Sequence, residues 1–136
     1  MPAHTPNPGE LCAQLSGHKE LYGKFDYIIH CAGATKCVDK NDFERVNYRQ
    51  TKCFVDTLRE LDMIPRQFVF ISTLSVFGPI REKTNTPITE KDTPVPNTAY
   101  GLSKLKAERY LKVYRISLMS SIVLRVCTDR ARRITS

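Results

Sequence analysis

Long apolar runs are missing from these 136 residues: the longest spans only a few positions, far short of the ~20 that a membrane-crossing helix needs. The opening MPAHTPNPGE also lacks the basic-then-apolar order of a secretory leader. The chain therefore reads as soluble and cytoplasmic, with no membrane partner. Glycine is scarce, and Gly9, Gly17, Gly23, Gly33, Gly78 and Gly101 never fall at the spacing of a turn that cradles a phosphate at a helix start. The five cysteines are odd in number and include no CxxC pair, which argues against a disulfide framework and against a zinc knuckle. Reduced, mostly buried thiols are expected. Metal ligation has no support: His30 sits inside an apolar run as a core or pocket-lining residue, and His4 and His18 lie in an irregular start.

Acid is scarce near the C-terminus. From 113 to 136, five arginines face one aspartate, so +4 of the formal net charge of +7 is local to that stretch. This tail lacks the interleaved aromatics of a single-strand binder, so no nucleic-acid partner is expected. At 15.5 kDa and 41% hydrophobic residues, the chain fits one globular domain.

What is present alternates. FDYIIHCAG (25–33) contains a short apolar run ending in small residues, and predicts a strand over 27–32 of the kind buried on both faces of a parallel sheet. From 41 to 62, Phe43, Val46, Phe54, Val55, Leu58 and Leu61 recur at helical spacing before Pro65, which predicts one long helix. QFVFIST (67–73) is a second strand, ending in hydroxyl side chains where open α/β sheets place their ligands. The segment 79–96, rich in Thr, Pro and charge, reads as a loop. NTAYGLSKLKAERYLK (97–112) predicts a helix capped by Thr98, with Leu102, Leu105, Ala107 and Leu111 as its apolar stripe. SIVLR (121–125) is a third strand, and 10–21 a short helix beside the sheet. The alternation argues for an α/β, doubly wound parallel sheet.

The chemistry concentrates at two places. Tyr100 and Lys104 stand four residues apart on a helix, hence on one face. An ammonium one turn from a phenol favours the phenolate, a usable proton acceptor. Ser72 and Thr73 close a buried strand about 27 residues earlier, where hydroxyls can hydrogen-bond a substrate oxygen or simply cap the strand end.

In DYIIHCAGATK (26–36), RVNYRQT (45–51), FVFISTLSVFG (68–78), TPITEKDTPVPNTAYGLSKLKAERYL (86–111) and IVLR (122–125), the chain resembles the extended short-chain dehydrogenase/reductases, in their NAD-dependent epimerase/dehydratase branch acting on nucleotide sugars. The resemblance implies a partial Rossmann-type sheet, NAD or NADP as cofactor, and hydride transfer at a sugar carbon. It makes Tyr100 the catalytic acid/base. Lys104 would tune Tyr100 and hold the nicotinamide ribose, and Thr73 would bind the reacting hydroxyl or carbonyl. Ala32 and Gly33 would admit the cofactor close to the backbone, with Asn47 and Ser72 fixing its side of the pocket. Glu90 would lie near substrate. Leu74 and Ser75 follow Thr73 where dehydratases carry an Asp-Glu pair, which favours an epimerase or reductase. Relatives form homodimers through the helices here at 41–62 and 98–112.

The chain departs from that family in what surrounds this middle. The Gly-x-x-Gly-x-x-Gly turn and the three strands that usually precede the first strand read here are not in the sequence, so weak or no NAD binding by this polypeptide is expected. The edge of 27–31 would be left unpaired and prone to aggregation or strand exchange. Residues 1–24 read as an irregular start with a short helix, 25–125 as the partial dinucleotide-binding domain and 126–136 as an aberrant basic tail. One back-translation of 126–136 begun a nucleotide earlier gives GVYGPREKDYF, the loop such relatives carry, so this stretch and 113–120 read as frame-slipped. The expected function is thus a fragment of an NAD(P)-dependent nucleotide-sugar epimerase or reductase. The alternative is a catalytically silent, pseudogene-like fragment that binds no cofactor.

Overall fold

The computed structural model of the chain describes residues 8–18, 20, 23–78, 87–89, 91–113 and 122–126. Its sheet has three parallel strands, β1 (Tyr27–His30), β2 (Gln67–Thr73) and β3 (Ile122–Val126), in the order β1-β2-β3. Tyr27 faces Gln67 and His30 faces Phe70, while Val69 faces Ile122 and Thr73 faces Val126. Parallel neighbours need crossovers, and helices supply both. The first comprises α2 (Lys40–Glu44), a π-helical turn (Arg45–Arg49) and α3 (Gln50–Glu60); the second is α4 (Ala99–Val113). A further helix, α1 (Pro8–Gly17), packs on α3.

Local chemistry sets the helix ends. The Asp39 carboxylate accepts the backbone N–H of Asn41 at 2.8 Å and caps α2. After α3 the chain turns through Asp62 at φ 53°, and the Met63 N–H donates to the Leu58 carbonyl at 2.7 Å. Thr98 caps α4 as expected, its hydroxyl accepting the Gly101 N–H at 3.0 Å.

The core lies between the sheet and the helices. Phe68 and Phe70 of β2, Val55 and Leu58 of α3, Leu111 of α4 and Met63 are all but inaccessible, and Leu15 of α1 joins the same cluster. Each such side chain stabilises the fold by roughly 1.5–3 kcal/mol relative to exposure. The helices meet across polar contacts as well: Lys106 reaches Glu44 at 2.6 Å, and the Tyr110 hydroxyl donates to Asp56, which also receives Lys52 at 2.6 Å. Among the described residues no helix is long and apolar enough to cross a membrane.

Four expectations need correcting. β1 ends at His30 rather than 32. It is not buried on both faces, because the helices cover only the side carrying Ile28 and His30, leaving Tyr27 and Ile29 63% and 66% exposed. Leu102 does not belong to the buried stripe of α4; it is exposed, and Ser103, Lys104 and Glu108 are buried on that helix instead. The described thiols are not buried either: Cys31 and Cys53 are exposed and Cys12 and Cys37 half-buried, because they lie past the paired end of β1 or on the outer helix seam. The stretches read as frame-slipped or irregular at 1–7, 114–120 and 127–136, along with Glu90 and most of the 79–86 loop, lie outside the described residues.

Candidate active site

The carboxyl ends of β1 and β2 open beside the first turns of α4, the position where parallel sheets bind ligands. Tyr100 is in the first turn of α4, half-buried, its ring tilted against Phe43 at 5.9 Å between centroids. Gly101 allows this approach. A Cβ there would stand 2.4 Å from the Ser75 carbonyl oxygen, so only glycine brings the tyrosine turn against the strand end. Thr73 closes β2 with its hydroxyl turned onto the next turn, accepting the Ser75 N–H and donating to the Ser75 hydroxyl, both at 3.2 Å.

Lys104 follows one turn below Tyr100. It is buried, with its ammonium over the Phe70 ring at 4.3 Å from the centroid. Burial pushes its pKa down to about 8, while the negative charges of Glu108 and Cys31 act in the opposite direction. Glu108 continues the stripe one further turn along α4 and is itself buried, accepting the Ser72 hydroxyl at 2.5 Å. Ser72 is therefore turned inward, onto the helix.

Asn47 stands in the π-helical turn and is wholly buried. Its side-chain oxygen accepts the Ala34 N–H at 2.7 Å, and its amide donates to the Ala34 carbonyl at 3.0 Å and to the Ser103 hydroxyl at 3.1 Å. Ser103 in turn donates to the Tyr100 carbonyl at 2.7 Å. One side chain thus ties the loop after β1 to the tyrosine turn of α4. Such single π turns interrupt α-helices where a side chain must be re-aimed.

Gly33 fits the same junction. A Cβ on it would meet Asn47 Oδ1 at 2.9 Å and Lys104 Nζ at 3.5 Å. Ala32 stands exposed immediately before it. A crevice with bare backbone at Ala32 and Gly33, a buried cation and a phenol suits the nicotinamide and ribose of a dinucleotide, which is the half of the cofactor these residues fit. The other half would need the Gly-rich turn, which the sequence lacks.

The structure thus brings Lys104, Asn47, Gly33 and Ser72 to one junction, with Tyr100 and Thr73 at its rim. Sequence reasoning passed over Glu108 and Ser103. Glu108 had a signal, since Tyr100, Lys104 and Glu108 repeat at four-residue spacing, which is one helix face. Ser103 had none, because it is recognised only through Asn47, 56 residues away.

Comparison with known proteins places this arrangement. The family model described as NAD dependent epimerase/dehydratase family matches residues 8–130. No curated protein matches the chain. Among solved structures, RMD from Pseudomonas aeruginosa complexed with NADPH superposes with a TM-score of 0.65 at 26% identity, over 85% of this chain and 39% of that one. The UDP-glucuronic acid 4-epimerase from Bacillus cereus in complex with NAD gives 0.59 at 23% identity, over 76% and 30%. The Helicobacter pylori ADP-L-glycero-D-manno-heptose-6-epimerase gives 0.67 at 18% identity, over 89% and 35%. The chain spans well under half the length of each.

Proposed function

The chain belongs to the NAD dependent epimerase/dehydratase family, and on that premise we propose that it carries the catalytic and ribose-binding half of an NAD(P)-dependent nucleotide-sugar epimerase or reductase. The observation that carries this reading is the convergence of Lys104, Asn47 and Gly33 at the carboxyl end of β1. The cofactor, when bound, supplies hydride exchange with a sugar carbon. This chain's residues do the rest. Tyr100 takes or returns the proton of the reacting sugar oxygen, Thr73 hydrogen-bonds that oxygen, and Lys104 holds the ribose with its ammonium. Ala32 and Gly33 leave room for the ring, and Asn47 keeps the loop that bears them in place. Ser72 contributes from within, through Glu108 to the lysine end of the site.

A second reading is favoured by one specific observation, the absence of a Gly-x-x-Gly-x-x-Gly turn from the sequence. In that reading the chain is catalytically silent and holds no dinucleotide. Titration with NADH, NADPH and reduced nicotinamide mononucleotide, followed by nicotinamide fluorescence, separates the two. If the ribose half of the site functions, the mononucleotide binds within a few-fold of NADH, because the missing turn would have served only the pyrophosphate. Lys104→Met then weakens both ligands together. Failure of all three ligands to bind at millimolar concentration would establish the silent reading.

A further inference from the structure

Two thiols that stand 41 residues apart in sequence meet on the outer seam between α1 and α3. Cys12 Sγ and Cys53 Sγ lie 3.4 Å apart in van der Waals and weak hydrogen-bond contact, Cys53 exposed and Cys12 half-buried. The surrounding geometry is ordinary helix. Ser16 donates back to the Cys12 carbonyl at 2.9 Å and Thr57 to the Cys53 carbonyl at 3.0 Å, so neither backbone is distorted to make the contact. The pair stands apart from the Tyr100 and Lys104 site, and no part of the proposed chemistry uses it.

We propose that Cys12 and Cys53 form an oxidant-responsive site, closing to a disulfide that fastens α1 to α3 when the chain meets a peroxide. The sulfurs must approach by little more than 1 Å to reach bonding distance of about 2.05 Å. The exposed Cys53 reacts first. Its thiolate attacks one peroxide oxygen, the O–O bond breaks, and a sulfenic acid forms with loss of one water after protonation. Cys12 then attacks the Cys53 sulfur, a second water leaves, and the S–S bond closes. Two thiols are oxidised by one electron each and one peroxide is reduced by two. Burial, with the Cys53 and Glu60 charges beside it, pushes the Cys12 thiol up, against a lowering hydrogen bond to Thr57. This suits the resolving rather than the attacking role.

The consequence falls on α1. Leu15 is the buried anchor of that helix in the core cluster, beside Phe54 and Leu58 of α3. With one such anchor, α1 is the element most readily released, and the bond would hold it against the apolar residues it covers.

The test uses the purified chain. After brief exposure to a few equivalents of hydrogen peroxide, free thiols are alkylated and the protein is digested with trypsin. The sequence places every cysteine on a different tryptic peptide, so pairing is unambiguous. The expected product joins residues 1–19 to residues 53–59. Oxidation should also raise the melting temperature by on the order of 10 °C for a loop of this length, and dithiothreitol should reverse it. Cys12→Ser and, independently, Cys53→Ser should each abolish both the joined peptide and the thermal shift. The proposal is overturned if Cys53 is oxidised without pairing to Cys12, if Cys31 or Cys37 pairs as often, or if the melting temperature does not respond.

Discussion

Acidification should unfold this protein through one histidine. His30 of β1 is packed between the rings of Phe54 and Phe70, 5.7 and 5.8 Å away, and its Nε2 lies 3.0 Å from the Thr51 hydroxyl. Burial in this aromatic slot, reinforced by the Lys104 charge, pushes its pKa down to about 4. In the unfolded chain it returns to about 6.5. Between those values the unfolded chain binds the proton and the native chain does not, so stability falls as pH falls through 6.5 and levels off below 4. The loss attributable to His30 is about 2 kcal/mol at pH 5 and about 3 kcal/mol in full. Urea denaturation at pH 7, 6, 5 and 4 would measure it, with His30→Phe as the reference that keeps the stack and removes the titration. At pH 7 the variant should lie within about 1.5 kcal/mol of the parent, for one lost hydrogen bond. By pH 5 the difference should have moved about 2 kcal/mol in the variant's favour. Parallel pH profiles for the two proteins, or a His30 NMR titration centred near 6.5, would refute the argument.

Three further outcomes follow from the site and the sheet edge. Glu108→Gln keeps an acceptor for Ser72 but removes the negative charge facing Lys104, so the lysine should titrate below its present value of about 8, as read from its 13Cε shift; an unchanged midpoint would show that the two charges do not interact. Gly101→Ala places a Cβ 2.4 Å from the Ser75 carbonyl oxygen, and the denaturation midpoint should fall by the equivalent of at least about 1–3 kcal/mol; no change would mean that the tyrosine turn of α4 is not held against the strand end. Ile29→Lys puts a charge on the uncovered face of β1 and should reduce light scattering of concentrated solutions while leaving the urea midpoint within about 0.5 kcal/mol; persistent aggregation would locate the sticky surface elsewhere.

The strands, the long helices and the Tyr100–Lys104 pair were legible because each is a local pattern. Apolar β-branched runs bounded by small or hydroxyl residues mark parallel strands, and a period of 3.6 marks the helices, so element type follows from neighbours a few residues apart. The family could be read for the same reason, since its motifs lie within such stretches. The limits of that reading were also physical. Periodicity recorded Leu102 as apolar but could not say which arc of α4 faces the sheet. The arc in fact carries Lys104 and Glu108, which burial tolerates because a carboxylate, an ammonium, a hydroxyl and an aromatic face satisfy one another.

What the sequence alone determined, then, was the inventory: a βαβαβ order, a phenol and an ammonium on one helix face, hydroxyls at a strand end, and no phosphate-cradling glycine turn. Tertiary structure decided the partners. Asn47 meets Ala34 across 13 residues and Ser103 across 56, Ser72 meets Glu108 across 36, and Cys12 meets Cys53 across 41. Such pairings depend on how two crossovers stack on one face of a sheet. That packing is settled by the shape and burial of the whole core, and no spacing along the chain encodes it.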